Sequence, residues 1–374
     1  MSAAKSLFKA KTYGKKDDWE ASFARGKLVS TLNSKTVVDL MISAVKNMQN
    51  LHEYRFELRD LLLTPDSEKF LVTIRQAVGP NLRKLSLQSS VARFRSIMDL
   101  NDFPNLDELE LSLVRDFAEP SNASLVTESD ELTASVVPFL NLQRDTLSTL
   151  KFASYSSVDL SPLFDDIGSF HRLRRLYVNI CFDECHLSDV TSFTKFLQRH
   201  QSVLTYLELK AMRPDGDDIG LEEADKLRQE SWARVQRSLI DGGITFECLT
   251  ALHMPSWNVD LTKQVLARHS SSLTHLSLRD ESLSLSQLQG ILDLFAYHPM
   301  QLKSLLIQVY CLEFAYLNLL ARRLLGLRSV VVIFNRAVAP AVSRFSHPPT
   351  RNLSHSGSDK AFRRRGCHSS SKGV

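Results

Sequence analysis

Several short stretches of this chain carry residue types that do chemistry, and each departs from the spacing that chemistry needs. His52 and Glu53 open the HExxH pattern of a zinc hydrolase, but Phe56 stands where the second histidine belongs. Cys181, Cys185 and His186 bring three metal-binding side chains together without an evident fourth, so buried or turn cysteines beside a strand are expected there. The run DGDDIGLEEADK, Asp215 to Lys226, begins like a calcium loop. It then puts Ile219 at the fifth position and Lys226 at the twelfth, where a bidentate Glu is required. Its Glu222, Glu223 and Asp225 suit the start of a helix, whose dipole favours negative charge. Gly242 and Gly243 belong to no GxGxxG or GxxxxGK phosphate loop, and no GxSxG nucleophile elbow occurs. No catalytic residue, cofactor or metal site is predicted. Binding, not catalysis, is the expected class of work.

The elements that would present a binding surface follow from an internal repeat. Leu, two mostly polar residues, an apolar residue, any residue and a second apolar residue recur as LHEYRF from Leu51, LRKLSL from Leu82, LDELEL from Leu106, LSTLKF from Leu147 and LRRLYV from Leu173. The pattern continues as LTYLEL from Leu204, LTALHM from Leu249, LTHLSL from Leu273, LKSLLI from Leu302 and LRSVVV from Leu327. The copies lie roughly 31 residues apart. Alternation at their fourth, fifth and sixth positions is the period-two signature of a short half-buried strand. Helical spacing follows several copies: Phe70, Leu71, Ile74, Ala77 and Val78 after a start at Ser67; Val190, Phe193, Phe196 and Leu197; Leu285, Leu288, Ile291, Leu292 and Phe295; and Phe314, Leu317, Leu320 and Leu324. A strand–helix unit of this size is stable only when stacked on its neighbours, with the strands parallel and the helices outside. An all-helical stack of the HEAT or armadillo kind is the competing repeat architecture, although its period of about 40 to 47 residues fits only the two longest intervals. Those intervals are read instead as insertions, including Glu119 to Asp130 and Arg213 to Glu230.

This pattern resembles the leucine-rich-repeat family, specifically its long-repeat, ribonuclease-inhibitor-like branch, over Leu51 to Asn335. The resemblance implies an α/β solenoid or horseshoe, with parallel strands on the concave face and helices on the convex face. The family's usual Asn or Cys nine residues into each repeat is matched only by Cys181 and Asn335, so irregular turns are expected. Such degenerate repeats are similar to those of fungal F-box proteins, whose repeats recognise a substrate for ubiquitin ligation. No Leu-Pro opening of an F-box precedes Leu51, and the ligase-adaptor role is not carried over. Two other readings remain open at this point: a repeat protein resembling small-GTPase activators, whose acidic tail is not matched here, and a truncated family member without retained activity.

Positions three, five and seven of each copy would project from the concave face. They place Arg55, Lys84, Glu108, Glu110, Lys151, Arg175, Tyr177, Tyr206, Glu208, Lys210, His253, His275 and Arg279 there, together with Glu53, Glu57, Ser86, Gln88, Ser112, Thr149, Asn179, Ser277 and Gln308. The mixture of signs favours a polypeptide partner over a phosphate backbone, with Arg175, Tyr177 and Tyr206 as the expected energetic anchors. Ubiquitin-ligase components are candidate partners, and no specific nucleic acid is expected.

Charge and composition divide the chain into a basic, flexible N-terminal segment (1–33), the solenoid with a capping helix (34–336) and a disordered, basic Ser/Pro/Arg-rich tail (337–374). The tail holds the Arg363–Arg365 cluster. With a net charge of only +4 over 374 residues, global charge gives no reason to invoke nucleic acid. The lysines at 5, 9, 11, 15 and 16 interrupt any signal peptide, and no apolar run reaches membrane-spanning length. A cytoplasmic or nuclear location with reduced cysteines is therefore expected, leaving the sequons at Asn122 and Asn352 unmodified. At the N-terminal end Val37, Leu40, Met41, Ala44 and Val45 have the spacing of a capping helix. At the other end VVVIF, Val330 to Phe334, is β-prone and uncharged, and predicts an exposed edge able to self-associate.

Overall fold

The computed structural model describes residues 34–48, 50–57, 65–98, 103–115, 125–213 and 220–338. The N-terminal segment, the tail from 339, both sequons, the arginine cluster and the first part of the Asp215–Lys226 run lie outside these.

Each of the ten repeat copies is a strand that starts two residues after its leading leucine. They are β1 (Glu53–Glu57), β2 (Lys84–Ser89), β3 (Glu108–Leu113), β4 (Thr149–Ser154), β5 (Arg175–Ile180), β6 (Tyr206–Ala211), β7 (Ala251–Pro255), β8 (His275–Arg279), β9 (Ser304–Leu312) and β10 (Ser329–Ala337). They form one sheet in chain order, and every neighbouring pair is parallel with position three opposite position three. This is a leucine-rich-repeat α/β solenoid, and the all-helical alternative is excluded. The incomplete HExxH match also lies off any helix: His52 precedes a strand, and Phe56 is buried within it.

Helices connect the strands: α1 (Ser34–Lys46), α2 (Pro65–Val78), α3 (Val91–Met98), α4 (Leu125–Glu131), α5 (Val137–Leu142), α6 (Ser161–Asp166), α7 (Val190–Arg199), α8 (Leu221–Asp241), α9 (Val259–Ala267), α10 (Leu285–Leu292) and α11 (Phe314–Arg323). A π-helical turn, Leu132–Val136, joins α4 to α5. The core lies between strands and helices. Leu176, Leu207, Leu252 and Leu276 at position four are each 2% exposed or less, as are the leading leucines from Leu82 to Leu302. Asp189, Asn258 and Ser284 cap the starts of α7, α9 and α10 through their side chains, satisfying backbone N–H groups left free at the first turn. None of the helices is long and apolar enough to cross a membrane, among the described residues.

At the ends of the stack the buried faces of the first and last helices depart from expectation, whereas the exposed last strand agrees with it. In α1 the buried face is Ile42 and Val45, with Val38 and Met41 partly buried, while Leu40 and Ala44 are exposed. The expected stripe was rotated by about one residue, because α1 packs chiefly on α2. In α11 Tyr316 and Leu320 face the core, whereas Phe314 and Leu317 are exposed; no described helix follows β10 to cover that flank. For the same reason Val330, Val331, Ile333 and Phe334 are all exposed.

Candidate functional site

Because the strands are parallel and in register, equivalent positions stand side by side across the face opposite the helices. Over β1–β4 the charged residues are taken up in ion pairs with one another. Arg55 bonds Glu57 at 2.7 Å, Lys84 lies between Glu53 (3.4 Å) and Glu108 (3.5 Å), and Lys151 reaches Glu108 at 2.7 Å and Glu110 at 4.0 Å. Burial works against the charge on Glu108, but Lys151 and Lys84 outweigh it and hold its carboxyl below the usual range. Burial likewise opposes the charge on Lys84, and Glu108 and Glu53 overcome it and raise its pKa.

Over β5–β8 the face changes character. The rings of Tyr177 and Tyr206 lie 4.7 Å apart, and Tyr206 lies 5.0 Å from His253, forming a continuous aromatic row across three strands. The small Ala251, opposite Tyr206 in the register, leaves room for this tilted packing. Arg175 donates to the Tyr177 hydroxyl at 2.7 Å and lies over the Tyr206 ring, 5.2 Å from its centroid; Lys151 caps the row from the other side, 5.5 Å from Tyr177. The Tyr206 hydroxyl donates to Glu208 at 2.6 Å, and Lys210 closes on the same carboxylate at 2.6 Å. Burial penalises the Glu208 anion, yet donation from Lys210 and Tyr206 keeps its pKa low. Burial raises the Tyr206 pKa, and its bond to Glu208 raises it further. His253 is pushed below its ordinary value, first by burial, with Glu208 opposing and Arg279, Lys210 and His275 adding to the depression.

Beside the aromatic row lies a recess of about 180 Å³, lined by Asn179, Glu208, Lys210, His253, Arg279 and Asp280 among others. Arg279 donates to Ser277 at 3.2 Å, and His275 bonds the Thr274 hydroxyl at 2.8 Å. Among the described residues neither Arg175 nor Arg279 has a carboxylate within ion-pair distance. Asp280 was not foreseen: position eight of a repeat should point inward. Its left-handed backbone, φ 71°, turns the chain at the end of β8 and places it on the rim instead. Trp257 fixes that turn by donating to the Asp280 carbonyl at 2.8 Å.

The expected face residues are therefore all on strands of one sheet, but they divide into two groups. Three of them are less open than their positions imply. Thr149 is 8% exposed, Ser277 is 1% exposed, covered by the surrounding long side chains, and the Glu208 side chain is 13% exposed.

Of the three suspected metal ligands, Cys181 is buried and Cys185 exposed, and the residue that organises them is one the spacing did not select. Asp183 accepts from the backbone N–H of Cys185 (3.0 Å) and His186 (2.9 Å), from His186 Nδ1 (2.6 Å) and from the Cys181 thiol (3.2 Å). Burial would raise its pKa, but these partners, His186 first, lower it to about 2. The acidic run resolves as expected into the first turn of α8, where Glu222 and Glu223 sit; Asp225 pairs with Arg213 at 2.9 Å and with Arg228 at 3.1 Å.

No protein-family model matches the chain, and no curated protein does. Similar solved structures include the leucine-rich repeat-containing protein LegL7 from Legionella pneumophila, 12% identical over 79% of this chain and 87% of that one, with a TM-score of 0.45. Another is the yeast complex of Rad7 and Elc1, 14% identical over 87% of this chain and 92% of that one, with a TM-score of 0.35. The fold assignment rests on the strand order and register of this chain itself.

Proposed function

We propose that the chain is a non-enzymatic interaction module that holds a polypeptide against the β5–β8 part of its helix-free face. The observation that carries this reading is the row Tyr177–Tyr206–His253 with Arg175 above it. Tyr supplies large contact area at low entropic cost, Tyr and Arg dominate interface energetics, and here they adjoin a recess able to take a side chain. Arg175 and Arg279, which among the described residues have no carboxylate within ion-pair distance, favour an acidic segment in the bound polypeptide. The use of such capture is recognition of a substrate for ubiquitin ligation, a reading supported by the similarity of the repeat pattern to fungal F-box proteins.

The test is affinity capture with the full chain followed by mass spectrometry, with Tyr206→Ala and Arg175→Ala in parallel. A partner bound through this face should lose about 2 kcal/mol, near thirtyfold in affinity, in either variant. A partner retained undiminished by both removes the face from consideration; one whose ubiquitination does not depend on this chain removes the ligase role.

A second reading is favoured by β10, whose exposed edge carries Val331 and Ile333 outward: two copies pair along it. Lysines at both positions should then shift the sedimentation coefficient to that of a monomer. Identical sedimentation of wild type and variant would exclude the pairing.

A further inference from the structure

The loop between β5 and α7 holds a cluster separate from the strand-lined face. A sulfur of Cys181, a carboxylate oxygen of Asp183 and a ring nitrogen of His186 all lie within 4.8 Å of one another. They are sheltered: Cys181 is 5% exposed, and the side chains of His186 and Asp183 are 12% and 21% exposed. We propose that this cluster binds one borderline-soft divalent metal ion of the zinc class, through Cys181 Sγ, His186 Nδ1 and Asp183 Oδ2, with water as the fourth ligand.

Three observations carry the assignment. The first is geometry. Metal–ligand bonds of about 2.0 to 2.3 Å in a tetrahedron set neighbouring ligand atoms roughly 3.5 Å apart. Cys181 Sγ lies 3.2 Å from Asp183 Oδ2, and one sulfur, one carboxylate oxygen and one ring nitrogen of the cluster are nowhere more than 4.8 Å apart, so small side-chain shifts bring the three ligand atoms to that spacing; His186 Nδ1, now 2.6 Å from Oδ1, exchanges that hydrogen bond for the ion. The second is anchoring. Asp183 Oδ1 is held by the backbone N–H groups of Cys185 and His186, which leaves Oδ2 beside the sulfur. Arg234 of α8 donates to the carbonyls of both Phe182 and Leu187, each at 2.9 Å, and so pins the two ends of the loop before any ion arrives. Its own charge is offset by Glu184 at 3.4 Å.

The third is ligand chemistry. One thiolate and one carboxylate balance a double positive charge, and the neutral imidazole adds none. A sulfur–nitrogen–oxygen set suits zinc and its neighbours and disfavours calcium and magnesium, which take oxygen ligands. Cys185 is exposed and lies outside the group, so the sequence pair Cys181 and Cys185 is the wrong pair; Asp183 takes the place of the second cysteine.

Cobalt(II) titrated into the reduced full-length chain provides the test, since a thiolate ligand gives a sulfur-to-cobalt charge-transfer band in the near ultraviolet. One equivalent should produce the band and zinc should abolish it by displacement. Cys181→Ser should remove the band, and His186→Ala should weaken binding at least about tenfold. Cys185→Ser should leave both unchanged. Zinc should also raise the melting temperature of the wild type and not that of His186→Ala; because this comparison does not use the Cys181 variant, it decides the matter even if that variant does not fold. Absence of the band in the wild type, its persistence in Cys181→Ser, or its loss in Cys185→Ser would overturn the proposal.

Discussion

The two halves of the strand-lined face are built on the same register and differ in what their charges do. Over β1–β4 the cations Lys84 and Lys151 are shared among Glu53, Glu108 and Glu110, and Arg55 is taken up by its own neighbour Glu57. A partner docking there would have to replace interactions already made. Over β5–β8 the carboxylate Glu208 is satisfied locally, but Arg175 is spent on aromatic faces and Arg279 on a hydroxyl. A parallel sheet with one residue per strand at each height can therefore switch from carboxylate-paired to aromatic-packed cations within one strand spacing, without any change of fold.

If the halves differ only at their surface, they should be equally sensitive beneath it. Leu109 of β3 and Leu207 of β6 are 0% and 1% exposed at the same repeat position. Leu→Ala at either should cost about 2 to 5 kcal/mol, read from urea unfolding, because each leaves a cavity between sheet and helix that neighbouring repeats hold open. A cost below 1 kcal/mol at one site and not the other would mean that the packing itself differs between halves.

Acid should separate the halves. His200 and His269 each sit four residues before a leading leucine, where their carbonyls accept that leucine's N–H at 3.1 Å. Gln143 occupies the same place before β4, so the titratable version of this position belongs to the later repeats. His200 is held neutral: its Nε2 accepts from the Phe170 N–H at 2.9 Å, so Nδ1 is the donor to the Phe196 carbonyl at 2.7 Å. Burial depresses the pKa of both histidines from 6.5 to about 4. A lowered folded pKa means that the unfolded chain takes the proton first. Their contribution is complete above pH 6.5 and is lost as pH falls toward 4, by up to about 3 kcal/mol each. Asp183 acts in a different window, since a carboxyl lowered to about 2 gives up its stabilisation only below its ordinary 3.8. Unfolding at pH 5 against pH 7.5 should show the loss, and His200→Gln should remove about half of it, leaving the share of His269. Hydrogen exchange should locate the first opening at the ends of α7 and α9, and uniform opening along the stack would contradict the assignment.

How much of this the sequence disclosed depends on the distance over which the signal acts. All ten strands were legible, because the leading leucine and the alternating pair sit within six residues and each side chain meets the core of its own repeat. The face of α1 and the outer flank of α11 were not, since what those helices bury is set by the neighbour they have or lack. The membership of the strand-lined face was readable from alternation. Its division was not: the pairing of Lys84 with Glu108, or of Tyr177 with Tyr206, depends on residues 24 and 29 positions apart and on which repeats are adjacent. Asp183 escaped notice because its part depends on a turn that folds its carboxylate back onto the backbone of the next three residues, which no spacing rule contains.

The smallest expected effect is the most discriminating. Lys84→Ala removes a cation whose two partners remain partly solvated, so stability should fall by no more than about 1 kcal/mol. Partner affinity should change less than about threefold if the polypeptide rests on β5–β8 as proposed. Arg279→Ala also removes one positive charge from the same sheet, with the loss of its hydrogen bond to Ser277 and of its longer-range attraction to Asp280. An acidic segment in the recess nevertheless makes it count: affinity for the captured partner should drop about tenfold at low salt and converge on the wild type as ionic strength rises and the Debye length shrinks below about 10 Å. Net charge changes identically in the two variants, so a shared loss would point to diffuse attraction by the whole chain, and a loss confined to Arg279 to the recess. Should Lys84→Ala be the more damaging of the two, the receptive half has been placed at the wrong end of the sheet.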